Sequence, residues 1–413
     1  MNTGGRLSNV LLANWQRQNF AVVGCVAFLL TFAIPTRWDF SLILLGICGI
    51  LTAISGASGK PHFDFRLPLF PETLLFLLAI ALSTLFSADL SISILLGASF
   101  LPGMLVFYLI SAHFETATQL RAIFLALAAV TITLSTSLLL AAWQNPGLSP
   151  SLWVWRLGVP VFVVPNDSIF LAIIAPFSLA LLMGDEKPFA RWIAATALIL
   201  NFTAIIALQS RGGLIAFLLG SGIMLSAYRP RYVLIGIPAL VSLFLLQDWT
   251  LGFPMLAKLS VIADYSDRLH RVSLWLAAWS MFLDKPFLGH GPHTYGLSFM
   301  NHMPDIALPS WSRVAPSAFW PHSLYFEVAA EQGLLGFSLL TILLVRAGLV
   351  LRQAWLDLDG QASRYALACL SGLIAFCIAG VFELTFLRIW VVVLLFVLLG
   401  AASCLARIAK DRT

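Results

Sequence analysis

Apolar residues run through this chain in long blocks, interrupted at short intervals by proline, glycine and charged positions. The blocks approach the roughly 20 residues that a helix needs to cross a bilayer, and they lack the two-residue alternation of a membrane β-barrel strand. They predict helical spans near Phe20 to Pro35, Phe40 to Ile54, Thr73 to Phe86, Ser91 to Ile110, Ala122 to Trp143 and Ser168 to Met183. Further spans follow near Trp192 to Leu208, Gly213 to Tyr228, Val233 to Leu246, Leu334 to Leu351, Tyr365 to Val381 and Leu387 to Ala406. The expectation is an all-α polytopic membrane protein with about 12 transmembrane helices. Residues 1–413 form a single integral membrane domain in this reading, with one large loop over 248–322 between spans nine and ten. The first apolar run lacks a small-residue cleavage site after it, so it reads as an anchor.

Composition agrees with the pattern. Hydrophobic residues make up 60% of the chain and charged residues 10%, with a mean hydropathy of +0.93. Soluble domains carry about a quarter charged residues. The basic residues then give a direction. Arg6, Arg17, Lys60, Arg66, Arg121, Lys187, Arg191, Arg229, Arg231, Arg346, Arg352, Arg364, Arg407, Lys410 and Arg412 fall on one side of the predicted layout. By the positive-inside rule that side is cytoplasmic, with both termini, and the 248–322 loop faces the periplasm. The short outer connections hold only Arg37, Arg156, Arg211 and Arg388. The net charge of +5 is largely this asymmetry and does not call for a nucleic-acid partner. Cys25, Cys48, Cys369, Cys377 and Cys404 fall inside predicted spans, as small apolar packing residues. No clear internal repeat is visible, which counts against many secondary transporters.

The outer loop concentrates the polar chemistry. In "SDRLHRVSLWLAAWSMFLDKP", Ser266 or Asp267 can cap a helix that Lys285 and Pro286 end. Leu269, Val272, Leu276, Trp279 and Leu283 repeat at helical spacing, which suits a helix lying on the membrane or the bundle top. Arg268 and Arg271 are neighbours at i and i+3, with Trp275 one turn on. They either snorkel toward headgroups or clamp an anionic substrate. Arg211, in "LQSRGGLIAF", sits at an outer turn where the next helix points its N-terminal N–H groups outward. A guanidinium there can grip a diphosphate through paired N–H groups, or serve only as an interfacial anchor. Arg156 is a weaker candidate, beside the interfacial aromatics Trp153 and Trp155.

The stretch "FWPHSLYFEVAAEQGLLG" places Pro321 in the first turn of a helix and His322 at its outward tip. An imidazole there can take a proton from a hydroxyl nucleophile, although a helix-terminal histidine is also a common structural residue. Glu327 and Glu331 share a helix face, and Glu331 lies deep enough to be a buried partner for another polar group. Glu327 or Tyr325 could orient the histidine. His290, His293 and His302 could in principle bind zinc but have no nearby ligand pattern, and no acidic pair has the spacing of a divalent-metal site, so neither metal nor cofactor is expected. The glycines and proline of "FLGHGPHTYG" shape a turn.

Taken together, "SRGG" at a span boundary, an arginine four residues before a tryptophan, "DKPFLGHGPHTYG" and a histidine followed by "EVAAEQGLLG" resemble the bacterial O-antigen ligase family. That family belongs to the O-antigen ligase and polymerase superfamily, and the resemblance covers about Asn166 to Gly336. It implies a GT-C-like, metal-independent inverting glycosyltransferase of the inner membrane. The glycan would pass from undecaprenyl diphosphate to a sugar hydroxyl of lipid A-core, with His322 activating the hydroxyl and Arg211 and Arg271 neutralising the departing diphosphate. Arg268, Arg156, Tyr325 and Glu327 would line the substrates. An O-antigen polymerase and a protein O-oligosaccharyltransferase of the same superfamily remain open alternatives. So does a lipid-linked glycan transporter, although its cations would more naturally sit at mid-bilayer.

Overall fold

The computed structural model describes residues 19–31, 38–54, 66–145, 166–184, 187–228, 265–302 and 320–411, with scattered positions between 230 and 249. Every regular element among them is helical. The first six are α1 (Asn19–Thr31), α2 (Trp38–Ile54), α3 (Phe70–Leu85), α4 (Leu90–Gly97), α5 (Phe100–His113) and α6 (Ala117–Gln144). Then come α7 (Asn166–Leu182), α8 (Pro188–Ala207), α9 (Arg211–Tyr228), α10 (Tyr265–Asp284) and the short α11 (Tyr295–Ser298), which runs into a 3-10 turn at Phe299–His302. The last three are α12 (Leu324–Asp357), α13 (Gly360–Phe382) and α14 (Ile389–Lys410). Among the described residues, seven segments are long and apolar enough to cross a membrane, and four shorter apolar helices accompany them. One of the seven, over Leu90–His113, combines α4 and α5 across a break at Ala98 and Ser99. Half of the expected ninth span, Val233 to Leu246, falls outside the described residues.

Burial orders the bundle. α14 is covered on nearly every face and packs most closely against α5, as a helix apolar all round should. α7 lies against α8, α9 and α13, while α12 packs on α13 and α3. The five cysteines are free thiols within these helices. Local sequence sets several ends. Thr116 and Gln119 form a reciprocal capping box that starts α6, and Pro188 opens α8 where its missing N–H costs nothing.

α12 is broken inside. Gly333 adopts φ 63° and ψ −162°, outside helical values, so the N–H groups of Leu334 and Leu335 cannot reach the carbonyls of Ala330 and Glu331. The segment 286–291 supplies the replacements. Leu334 N–H donates to the Pro286 carbonyl at 2.7 Å and Leu335 N–H to that of Phe287 at 3.2 Å. In return, His290 N–H donates to the Ala330 carbonyl at 3.1 Å and Gly291 N–H to that of Glu331 at 2.8 Å. This strap therefore fills the gap in the helix ladder and leaves few backbone groups orphaned. Glycine is required where the two backbones meet: a Cβ on Gly333 would lie 2.5 Å from the Phe287 carbonyl carbon, and one on Gly289 2.3 Å from that of Glu331. The expected turn in "FLGHGPHTYG" is this strap, and the expected start of the tenth span at Leu334 is this break.

The bundle has two chemically different ends. At one end, basic side chains dock on carbonyls exposed where helices stop, complementing the negative helix termini. Arg191 donates to the Gly184 carbonyl at 2.7 Å and Arg407 to that of Phe114 at 2.5 Å. At the other end α9 and α12 begin, α13 stops, and α10 lies beneath the strap.

Candidate functional site

Four segments converge where α13 ends. Glu383, just past the last residue of α13, is only 4% exposed. Its Oε1 accepts a 2.6 Å hydrogen bond from Arg271 Nη2, and its Oε2 lies 3.0 Å from His322 Nδ1. Arg271 also donates through Nη1 to the Phe382 carbonyl at 2.9 Å. One carboxylate thus joins the arginine of α10 to the histidine before α12. Because a carboxylate accepts, Nδ1 carries the ring proton, and Nε2 of the neutral imidazole keeps its lone pair. The side chains of Arg271 and His322 are 29% and 26% exposed, so both stay reachable while the group between them is covered.

The histidine is held in an unusual turn. α12 starts at Leu324 with Ser323 as its cap residue, so Pro321 and His322 precede the helix rather than occupying its first turn. His322 has φ 54°, a conformation that non-glycine residues seldom adopt without surrounding support. That support comes from α10, where Trp275 Nε1 donates to the Pro321 carbonyl at 3.0 Å and the indole stacks on Phe326 at 5.3 Å. Trp320 lies 4.8 Å from the His322 ring, and the Arg388 guanidinium sits over the Trp320 ring at 5.2 Å. The arginine and tryptophan four residues apart on α10 therefore both act on the same turn.

Arg211 opens α9 after Gln209, which has φ 52°. A Cβ on the adjacent Gly212 would lie 3.6 Å from Phe382 Cβ, and it is the Phe382 carbonyl that receives Arg271. The α9 terminus thus meets the same corner of the fold. Ser210 Oγ accepts the Gly213 N–H at 3.1 Å, so part of the N-terminal donor set is already used by a cap.

Other sequence expectations change. Glu327 and Tyr325 do not supply the carboxylate or hydroxyl that orients His322. Glu327 is buried and accepts the Phe386 N–H at 2.9 Å, while Tyr325 donates to the Cys377 carbonyl at 2.8 Å. Glu383 takes the orienting place instead. Sequence reasoning missed it because it fell in a short connection between spans. An isolated carboxylate in "AGVFELTFLRIW" was nonetheless a signal, since ionisable groups in such surroundings need partners. Glu331 is the buried structural partner that was expected: its carboxylate accepts the N–H groups of His293 at 2.7 Å and Tyr295 at 2.9 Å. Arg156 and the side chain of Arg268 lie outside the described residues.

α10 differs from its expected single apolar face. Leu274, Ala277, Ala278 and Met281 pack against Tyr295, Phe299 and Ala330, whereas Val272, Leu276, Trp279 and Leu283 form an exposed stripe. The helix has two apolar faces, one for the strap and one facing outward. At its end, His290 in the strap is held below the ordinary imidazole range, chiefly by burial and then by the charges of Lys285 and His302.

Residues 196–341 match a family model described as Wzy_C, O-Antigen ligase. The matched segment runs from α8 through α9, α10 and the strap into α12; it contains Arg211, Arg271 and His322 and stops before Glu383. A comparison with curated proteins returns no match.

Proposed function

For a multi-pass membrane protein of the O-antigen ligase and polymerase superfamily, we propose the activity of an O-antigen ligase. It transfers a glycan from undecaprenyl diphosphate to a sugar hydroxyl of lipid A-core, at the periplasmic face of a bacterial inner membrane. The observation that carries the reading is the Arg271–Glu383–His322 linkage, which gathers a cation and an imidazole on one buried carboxylate.

The chemistry follows from those groups. The acceptor hydroxyl gives its proton to His322 Nε2 as its oxygen attacks the anomeric carbon from the face opposite the diphosphate. The new glycosidic C–O bond forms while the bond from the anomeric carbon to the diphosphate oxygen breaks, inverting the centre. Both bonding electrons leave with undecaprenyl diphosphate, and the proton passes from His322 to solvent. The diphosphate is already a good leaving group, so the protein's task is to position it, neutralise growing charge and supply a base. Arg271 spends one N–H on Phe382 and one on Glu383, and its remaining N–H groups can meet phosphate oxygens. Arg211, across the corner at the start of α9, is the second guanidinium. Glu383 keeps the histidine in the tautomer with Nε2 unprotonated, and its negative charge stabilises the imidazolium formed during transfer. The 248–322 loop carries Arg271 to this face, and both chain termini lie on the cytoplasmic side in this reading.

Lipopolysaccharide from a deletion strain, resolved on a gel, tests the assignment. A ligase predicts lipid A-core without any O-antigen while lipid-linked polymer persists. Core capped by a single repeat would instead identify a polymerase, and failure of lipid-linked glycan to reach the periplasmic face an exporter.

A further inference from the structure

The end of α10, the strap and the 3-10 turn bring together three side chains that the transfer reaction does not use. Asp284 Oδ2 lies 3.3 Å from His290 Nε2 and 3.7 Å from His302 Nε2, and ligand atoms from all three residues lie within 4.8 Å of one another. His302 Nδ1 is 2.8 Å from the Ser298 carbonyl, which only accepts, so the ring proton resides there. Nε2 then faces a carboxylate oxygen, a contact that calls for a proton or a metal ion between the two atoms. A ring oriented through its other nitrogen by a backbone carbonyl is also the usual outer arrangement of a metal-binding histidine. His290 Nε2 faces two acceptors, Asp284 and the Met281 carbonyl at 3.1 Å, so a proton holds that position until a metal displaces it.

We propose that Asp284, His290 and His302 form a binding site for a divalent transition-metal ion, zinc being the best fit, that fastens the strap to the end of α10. Two imidazoles and a carboxylate suit zinc, and calcium or magnesium would demand more oxygen ligands. A tetrahedral zinc with bonds near 2.05 Å has ligand atoms about 3.3 Å apart, so the two carboxylate–imidazole separations of 3.3 and 3.7 Å are close to that geometry, and the three ligand atoms, all within 4.8 Å of one another, have to draw together for the ion to seat. Asp284 is half exposed, which leaves a water-accessible side for the fourth ligand. The cluster is completed by Asp284 and does not include His293, whose backbone N–H donates to Glu331 at 2.7 Å. A metal here would lock the strap that completes the broken ladder of α12, and so brace the helix whose beginning carries His322. It takes no part in the bond changes of transfer, and the site stands or falls separately from the ligase assignment.

The test uses the purified full-length protein in detergent, stripped with chelator, exposed to zinc chloride, desalted and assayed for metal by mass spectrometry. About one zinc per chain is expected in the wild type, with proton release on binding and a melting temperature raised by roughly 5 °C. Asp284→Asn and His302→Ala should each lower zinc affinity at least about tenfold, while His293→Ala leaves it unchanged. Cobalt(II) in place of zinc should give the visible absorption of a tetrahedral site. Wild-type protein that retains no zinc overturns the proposal whatever the variants do. So does undiminished retention in an Asp284→Asn/His302→Ala double variant whose zinc-free melting temperature matches that of wild type.

Discussion

Glu331 and Glu383 lie at the same end of the bundle and are buried to a similar degree, at 2% and 4% exposure, yet their partners differ in kind. The Glu331 carboxylate accepts the backbone N–H groups of His293 and Tyr295, and its own carbonyl accepts from Ser83 and Gly291. None of those donors changes charge, and all belong to the backbone or to a buried hydroxyl. Glu383 instead accepts from two side chains, Arg271 and His322, that reach the surface and can carry charge to a ligand. The first carboxylate fixes chain path; the second joins the two side chains of the proposed site. Burial alone does not separate a scaffold acid from a site acid, whereas the identity of the donors does.

The comparison breaks hardest at the strap. Gly333→Ala forces a Cβ to within 2.5 Å of the Phe287 carbonyl carbon at φ 63°, with backbone on both sides that cannot move aside. We expect a loss of more than about 3 kcal/mol, read as collapse of the melting transition in detergent. Gly222→Ala, where a Cβ meets open space, should leave that transition in place.

Next in size is Arg271→Ala. Transfer by purified protein should fall about 100- to 1000-fold, as when one charge-stabilising donor is removed from an active site. Arg271→Lys should recover only part of it, because an ammonium cannot bond Phe382 and Glu383 in the same fork. Equal rates for wild type and both variants would detach Arg271 from the reaction.

The two glutamates themselves give the smaller, crossed effects. Glu383→Gln should slow transfer about 10- to 100-fold, as loss of an orienting partner does for metal-bound histidines, with little change in melting temperature. Glu331→Gln should do the reverse. An amide there points a donor at a backbone N–H, costing about 1–3 kcal/mol of stability, while each folded molecule works at a rate within about twofold of wild type. If both variants moved the same observable, the distinction between scaffold and site would be lost.

Much of this end of the molecule was legible in the sequence, for identifiable reasons. Span boundaries followed from hydrophobic blocks, and the apolar run expected to start at Leu334 does begin there, just past the break at Gly333. Trp275, four residues after Arg271, marked a helix face that proved to bind the Pro321 carbonyl. What sequence could not supply was pairing across the fold. Glu383 lies 61 positions from His322 in the chain, and no periodicity links them. Glu327 was a reasonable orienter on spacing, but a helix turns residue 327 away from a histidine that stands in the preceding turn, and Phe386 claims it. Asp284 and His302 were likewise invisible as partners until the strap folded back on α10.

The most direct test of the central claim is transfer by the His322→Ala protein, purified and supplied with lipid-linked donor and acceptor, with donor affinity measured in parallel. The account predicts a rate at least about 100-fold lower with donor affinity nearly unchanged, because the imidazole acts on the incoming hydroxyl and not on the diphosphate. Transfer at the wild-type rate by that variant would contradict it.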